Sequence, residues 1–137
     1  MTKKLENILE EVLQKVIAAV EVFFGPLTTV IDTPLVQKLL IDREEIEIPC
    51  GPGKQYLAAR SREEGLLVRL ALSPEAHATG CLPEAKEFAE YACKSVFEAY
   101  PEIRGEFRII ISKITPGGVP EPLGSFPQQN QVTRAGI

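Results

Sequence analysis

Cys50, His77, Cys81 and Cys93 are, with Met1, every soft metal ligand in the chain. A tetrahedral zinc site is built from these residue types, usually in close pairs such as two cysteines two residues apart. No such pair is present. His77 and Cys81 are four apart, a spacing that would bring both onto one helix face, but Gly80 interrupts that turn. The pattern therefore predicts no metal site, and these four residues are the only set that could form one. No cofactor is expected.

The same residues raise the question of a nucleophile. A reactive thiol needs surroundings that favour the thiolate and a base within hydrogen-bond reach, and His77 is the single histidine. Cys50, followed by Gly51-Pro52-Gly53-Lys54, reads as a loop thiol and the more exposed partner. Cys93 falls on the inward side of an amphipathic helix, where cysteine acts as a small hydrophobe. Three irregularly spaced cysteines without a secretory signal predict reduced thiols rather than a disulfide framework.

Glycines also let backbone amides converge on an anion, which draws attention to residues 50–54. The phosphate-loop signature is absent, however: Gln55 stands where a hydroxyl should follow Lys54, and Pro52 removes a donor. A turn leading into Tyr56 is the expectation. Glu44, Glu45, Glu47, Glu63 and Glu64 have polar flanks, so they read as solvated charges rather than an acid–base pair shifted by burial.

These groups must be held by a small number of elements. The stretch from Gln55 to Ser73 is the organising one. Leu66, Val68, Leu70 and Leu72 alternate with Leu67, Arg69 and Ala71, the period of a half-buried strand. Tyr56, Ala58 and Arg60 alternate with Leu57 and Ala59 in a strand of similar length. Ser61 to Gly65 joins them as a hairpin loop of about five residues. A hairpin alone is marginal and needs helices over its apolar face.

Residues 3–24 form the strongest helix candidate, with apolar residues at spacings of three and four, ended by Gly25-Pro26. Leu27 to Ile31 reads as a short strand or a lead-in. Asp32-Thr33-Pro34 starts a short helix; Glu45 to Ile48 alternates as a strand ended by Pro49. Ser73-Pro74-Glu75 starts one helical turn. A last major helix spans about Pro83 to Tyr100, with Ala85, Phe88, Ala89, Ala92 and Val96 inward. Phe107, Ile109 and Ile111 mark another strand, apolar on both faces and so central.

From Thr115 the composition turns to Pro, Gly, Gln and Asn, too poor in apolar residues to hold one conformation. The expected organisation is a single α+β domain over residues 1–114 and an extended or flexible tail over 115–137. The domain combines a mainly antiparallel sheet of about four strands with two major helices and one or two short ones.

Length and composition bound the function classes. The chain has 137 residues, 45% hydrophobic and 25% charged, the profile of one globular domain. No apolar run approaches the ~20 residues of a membrane span, and acidic residues interrupt any N-terminal leader. The expected compartment is the cytoplasm. Net charge is −4, with acids interleaved among scattered bases, which argues against nucleic acid as a partner.

The leading expectation is a non-enzymatic interaction or assembly module of adaptor or chaperone-like type, whose partners are a second copy and another protein. Leu5, Leu9, Val12, Val16 and Val20 would form a dimer interface, because the apolar arc of the first helix exceeds a coiled-coil seam. Leu123 and Phe126 would dock the tail on a partner, and removing residues from Thr115 onward would leave folding intact. The alternative is a ligand-binding or sensory domain. Its pocket would lie between the sheet and helix 83–100, built from Phe88, Tyr91, Cys93 and Phe97, with Arg69 or Arg108 supplying charge for an acidic ligand.

Overall fold

The computed structural model describes residues 3–25, 39, 44–62 and 65–127, with side chains from residue 8 onward and not at residue 62. Helix α1 covers Lys3–Phe24 and is followed by strands β1 (Ile46–Cys50), β2 (Gly53–Arg62) and β3 (Gly65–Leu72). A short helix α2 (Pro74–Ala78), the long α3 (Leu82–Ala99) and a 3-10 turn (Pro101–Ile103) lead to β4 (Phe107–Ile114) and β5 (Pro120–Phe126). The expectations for Leu27 to Ile31 and for the helix after Asp32 lie outside the described residues, apart from Leu39, which is fully buried.

The class is α+β, as the alternation and helical periods require. The sheet has five strands in the order β1-β2-β3-β4-β5, one more than expected. All neighbours are antiparallel except β3 and β4, which run parallel from Leu66↔Phe107 to Leu72↔Lys113. A parallel pair cannot be joined by a tight turn and needs a crossover. Here α2 and α3 make it. β4 is central, with a neighbour on each side, but only the face of Phe107, Ile109 and Ile111 is apolar: the other carries Arg108, Ile110 and Ser112.

The extra strand lies within the stretch expected as an extended or flexible tail from Thr115. Residues Pro120–Phe126 pair with β4, and Phe126 is 1% exposed in the core. Backbone pairing on a sheet edge does not require side-chain alternation, and proline is tolerated where its missing N–H would face solvent. Similarly β1 runs through Pro49 as the other edge. Gly51 (φ +58°) and Pro52 form the turn that joins it to β2, with Cys50 paired to Gly53.

One sheet face carries the core. Ile48, Leu57, Leu66, Val68, Leu70, Leu72, Phe107, Ile109 and Ile111 point inward from alternate positions and meet α1 and α3. Phe24 of α1 stacks obliquely on Phe88 of α3 at 5.9 Å, and Phe97 meets Phe107 edge-on at 5.8 Å. Each such side chain contributes about 1.5–3 kcal/mol by leaving water. α2 is fixed by its cap: Ser73 Oγ accepts from the amides of Ala76 (3.2 Å) and Lys54 (3.0 Å). Gln55 is fully buried on the same face, and its amide atoms have no partner among the described residues.

Candidate functional site

The structure separates the soft ligands. Cys50, at the end of β1, and Cys81, just before α3, are joined in a disulfide. This corrects the expectation of three reduced thiols: the β1–β2 turn and the α2–α3 junction, 31 residues apart in sequence, meet at one end of the sheet. His77 lies half-buried on α2, which ends at Ala78, and Gly80 (φ +87°) breaks the turn before Cys81. Cys93 is on α3 and is the free cysteine. Among the described residues no three His, Cys, Asp or Glu side chains cluster to hold a metal.

Cys93 is buried (4% exposed) and lines a cavity of about 330 Å³ with Glu90, Lys94, Phe97 and Glu98 of α3, Arg104, Phe126 and Pro127, so that two carboxylates stand beside the two cations. Burial pushes its thiol up to about 12, against a weaker opposite pull from Arg104 and Arg108. A thiol held neutral at physiological pH is a wall rather than a nucleophile. The Arg104 guanidinium lies 5.3 Å from the Phe97 ring centroid, a cation–π arrangement at the cavity mouth. A raised folded-state pKa stabilises the fold fully below about pH 9, and that contribution drains away between about pH 9 and 12. Cys93→Ala is therefore expected to flatten the alkaline fall in melting temperature relative to wild type. Parallel curves above pH 9 would count against a buried neutral thiol.

The residues expected at a dimer interface are mostly spent inside. Val12, Val16 and Val20 are completely buried, Leu9 is half-buried against the same core, and the Leu5 side chain is not among those described. The wide arc of α1 does have two neighbours, but both belong to its own chain: α3 beside it and the sheet beneath. Phe126 is likewise buried in the core, and Leu123 on β5 is half-buried.

The groups expected around an acidic ligand are split between the two sheet faces. Phe88 and Phe97 point into the core, and Tyr91 is exposed (44%) with its ring against Phe23 at 5.5 Å. Arg69 and Arg108 lie on the opposite face, because Arg69 alternates with buried Val68 and Leu70, and Arg108 with Phe107 and Ile109. Arg108 donates to Ser125 Oγ at 2.7 Å across β4 and β5.

That second face, left bare by the described helices, is the candidate site. Its rows follow from the register. Arg60, Leu67 and Arg108 sit side by side on β2, β3 and β4; the next row is Ala58, Arg69, Ile110 and Ser125; beyond it come Tyr56, Ala71 and Ser112. Arg60 and Arg69 are exposed and Tyr56, Ala58, Leu67, Arg108 and Ile110 partly exposed, while Ala71 and Ser112 are buried. Neither Arg60 nor Arg69 has an acidic partner among the described residues, whose ion pairs include Lys54–Glu47 (3.4 Å) and Lys113–Glu121 (3.9 Å). A depression of about 90 Å³ lies between Arg60, Leu67, Arg69 and Ala58, and another of about 170 Å³ between Leu67, Gly105, Glu106 and Arg108.

Sequence reasoning overlooked Arg60, Leu67 and Ile110. Their alternation with core residues was the available signal; their adjacency was not, since it depends on the parallel seam. Among the described residues, the arrangement sets the aliphatic side chains of Leu67 and Ile110 between the guanidinium groups of Arg60, Arg69 and Arg108. Comparison with family models, curated proteins and solved structures finds no match to this chain.

Proposed function

We propose that this protein is a non-enzymatic interaction module that binds another protein through the uncovered face of its sheet. One observation carries the reading: the described helices pack on a single face, and the other presents partly exposed Leu67 and Ile110 among Arg60, Arg69 and Arg108. Interfaces of this kind draw their energy from a few desolvated anchors surrounded by polar groups. Self-association remains part of the proposal, moved from α1 to this face.

The test is a paired substitution, Leu67→Glu with Ile110→Glu, at two partly exposed positions on the face opposite the core. The variant is expected to melt within a few degrees of wild type yet lose its co-purifying partner and any dimer seen by native mass spectrometry. An unchanged partner set and oligomeric state would sink the proposal.

No helix among the described residues is long and apolar enough to cross a membrane, and the reading takes the cytoplasm as the compartment. Glutathione keeps cytosolic thiols reduced, whereas the structure joins Cys50 to Cys81; differential alkylation of protein taken from cells decides between the two, and open cysteines would support the cytoplasm. A bridge persisting in cells would argue for an oxidising compartment instead.

A second reading, a small-molecule sensor, is favoured by the cavity beside Cys93 and Phe97. Its charge would come from Lys94 and Arg104 rather than from Arg69 and Arg108. A metabolite that raises the melting temperature of wild type but not of Arg104→Ala would support it; no such shift across an acidic panel would remove it.

A further inference from the structure

Resting on the bare-face reading, we infer that the surface centred on Leu67 takes an extended acidic segment of a partner protein, with an apolar side chain between its carboxylates. Arg60 and Arg108 flank Leu67, each one strand away, so their backbones lie about 10 Å apart. Arg69 stands two residues further along β3, about 7 Å from Leu67. Alternate side chains of an extended peptide repeat at about this same distance. Carboxylates can therefore meet successive guanidinium groups, each of which can bind one through two parallel hydrogen bonds.

The depression framed by Arg60, Leu67 and Arg69 is of a size to receive one aliphatic side chain between the ion pairs. Charge complementarity selects the occupant. In a chain of net charge −4, three arginines converge on one patch, two of them without an acidic partner among the described residues. A nucleic acid would call for a broader basic face, and here the same sheet face carries Glu47 at its far end and aliphatic residues between the bases. An acidic, apolar-anchored peptide satisfies both the charges and the intervening Leu67 and Ile110.

The full-length protein is titrated with a short labelled peptide alternating Glu with Leu, and with its Gln counterpart. The Glu peptide is expected to bind at least about tenfold more tightly at low salt, the preference vanishing in Arg69→Glu with Arg108→Glu. Equal binding of the two peptides, or binding of neither, overturns the inference, as does an unchanged preference in a folded double variant.

A photo-crosslinking residue at position 67 in cells, followed by mapping of the joined peptide, separates this inference from the broader reading. A partner segment rich in Asp and Glu supports it. A neutral or basic protein segment overturns the inference but leaves the bare face as an interface. Nucleic acid, or residues 128–137 of the same chain, overturns both.

Discussion

Removing residues 115–137 is expected to unfold the protein or leave it insoluble at room temperature. The cut takes away β5, whose backbone pairs with β4 from Ile109↔Phe126 to Ile114↔Pro120, and with it a core aromatic that is 1% exposed. Deleting a buried phenylalanine side chain alone costs about 3–5 kcal/mol. The loss also opens the edge of β4, so Ile109 and Ile111 lose their neighbour and the strand presents unpaired amides and carbonyls. Domains of this size have about 5–15 kcal/mol in total, so the truncated chain has little or nothing left. Circular dichroism and urea unfolding of the truncated chain, with Phe126→Ala in the full chain alongside, make the comparison. A truncated protein with a cooperative transition within about 1 kcal/mol of wild type would show that β5 contributes nothing.

The second large effect is expected at Gly65→Ala. Gly65 opens β3 with φ +134°, a region L side chains rarely adopt. A Cβ there would run into the backbone carbonyl and Cα of Glu106. That approach is close because the Leu66 amide donates to the Glu106 carbonyl at 2.7 Å, the contact that starts the parallel seam between β3 and β4. Backbone strain of this kind costs about 1–3 kcal/mol, and displacing β4 adds to it, so the total should exceed about 3 kcal/mol. Gly105→Ala is the control, since nothing lies within 4 Å of an added Cβ there, and it should cost under about 1 kcal/mol. Equal midpoints for the two variants would refute the close approach.

Much of the fold was legible because the helices and inner strands follow strict periods. α1 and α3 bury every third or fourth residue, while Leu66 to Leu72 and Phe107 to Ile111 alternate; those patterns follow directly from side-chain geometry. What escaped was whatever depends on pairing over distance. Pro120 to Phe126 has no alternation, and its place as β5 comes from main-chain bonds to β4. Cys50 meets Cys81 only once the β1–β2 turn has closed beside the α2–α3 junction. The buried Val12, Val16 and Val20 show a different limit: a wide apolar arc says that a helix has two neighbours, not that one belongs to another molecule.

The candidate site was half legible. Arg69 stands between Val68 and Leu70, and Arg108 between Phe107 and Ile109, so the alternation that marked these strands already set both arginines opposite the helices. Grouping them with Phe88 and Phe97 overlooked that parity. Their convergence with Arg60 around Leu67 could not be read from periods, because it requires knowing that β3 and β4 run parallel.

The parallel seam also bears on how the chain reaches this shape. β1, β2 and β3 form a meander of near-neighbour pairings, and β4 with β5 forms a second local hairpin. Both can close quickly. Leu66 and Phe107 meet only after the intervening crossover has spanned the sheet, and contacts between sequence-distant segments set the pace of folding. Closure of this seam is therefore expected to follow the local pairings, and until it forms β3 and β4 each keep an unpaired edge open to pairing with other chains.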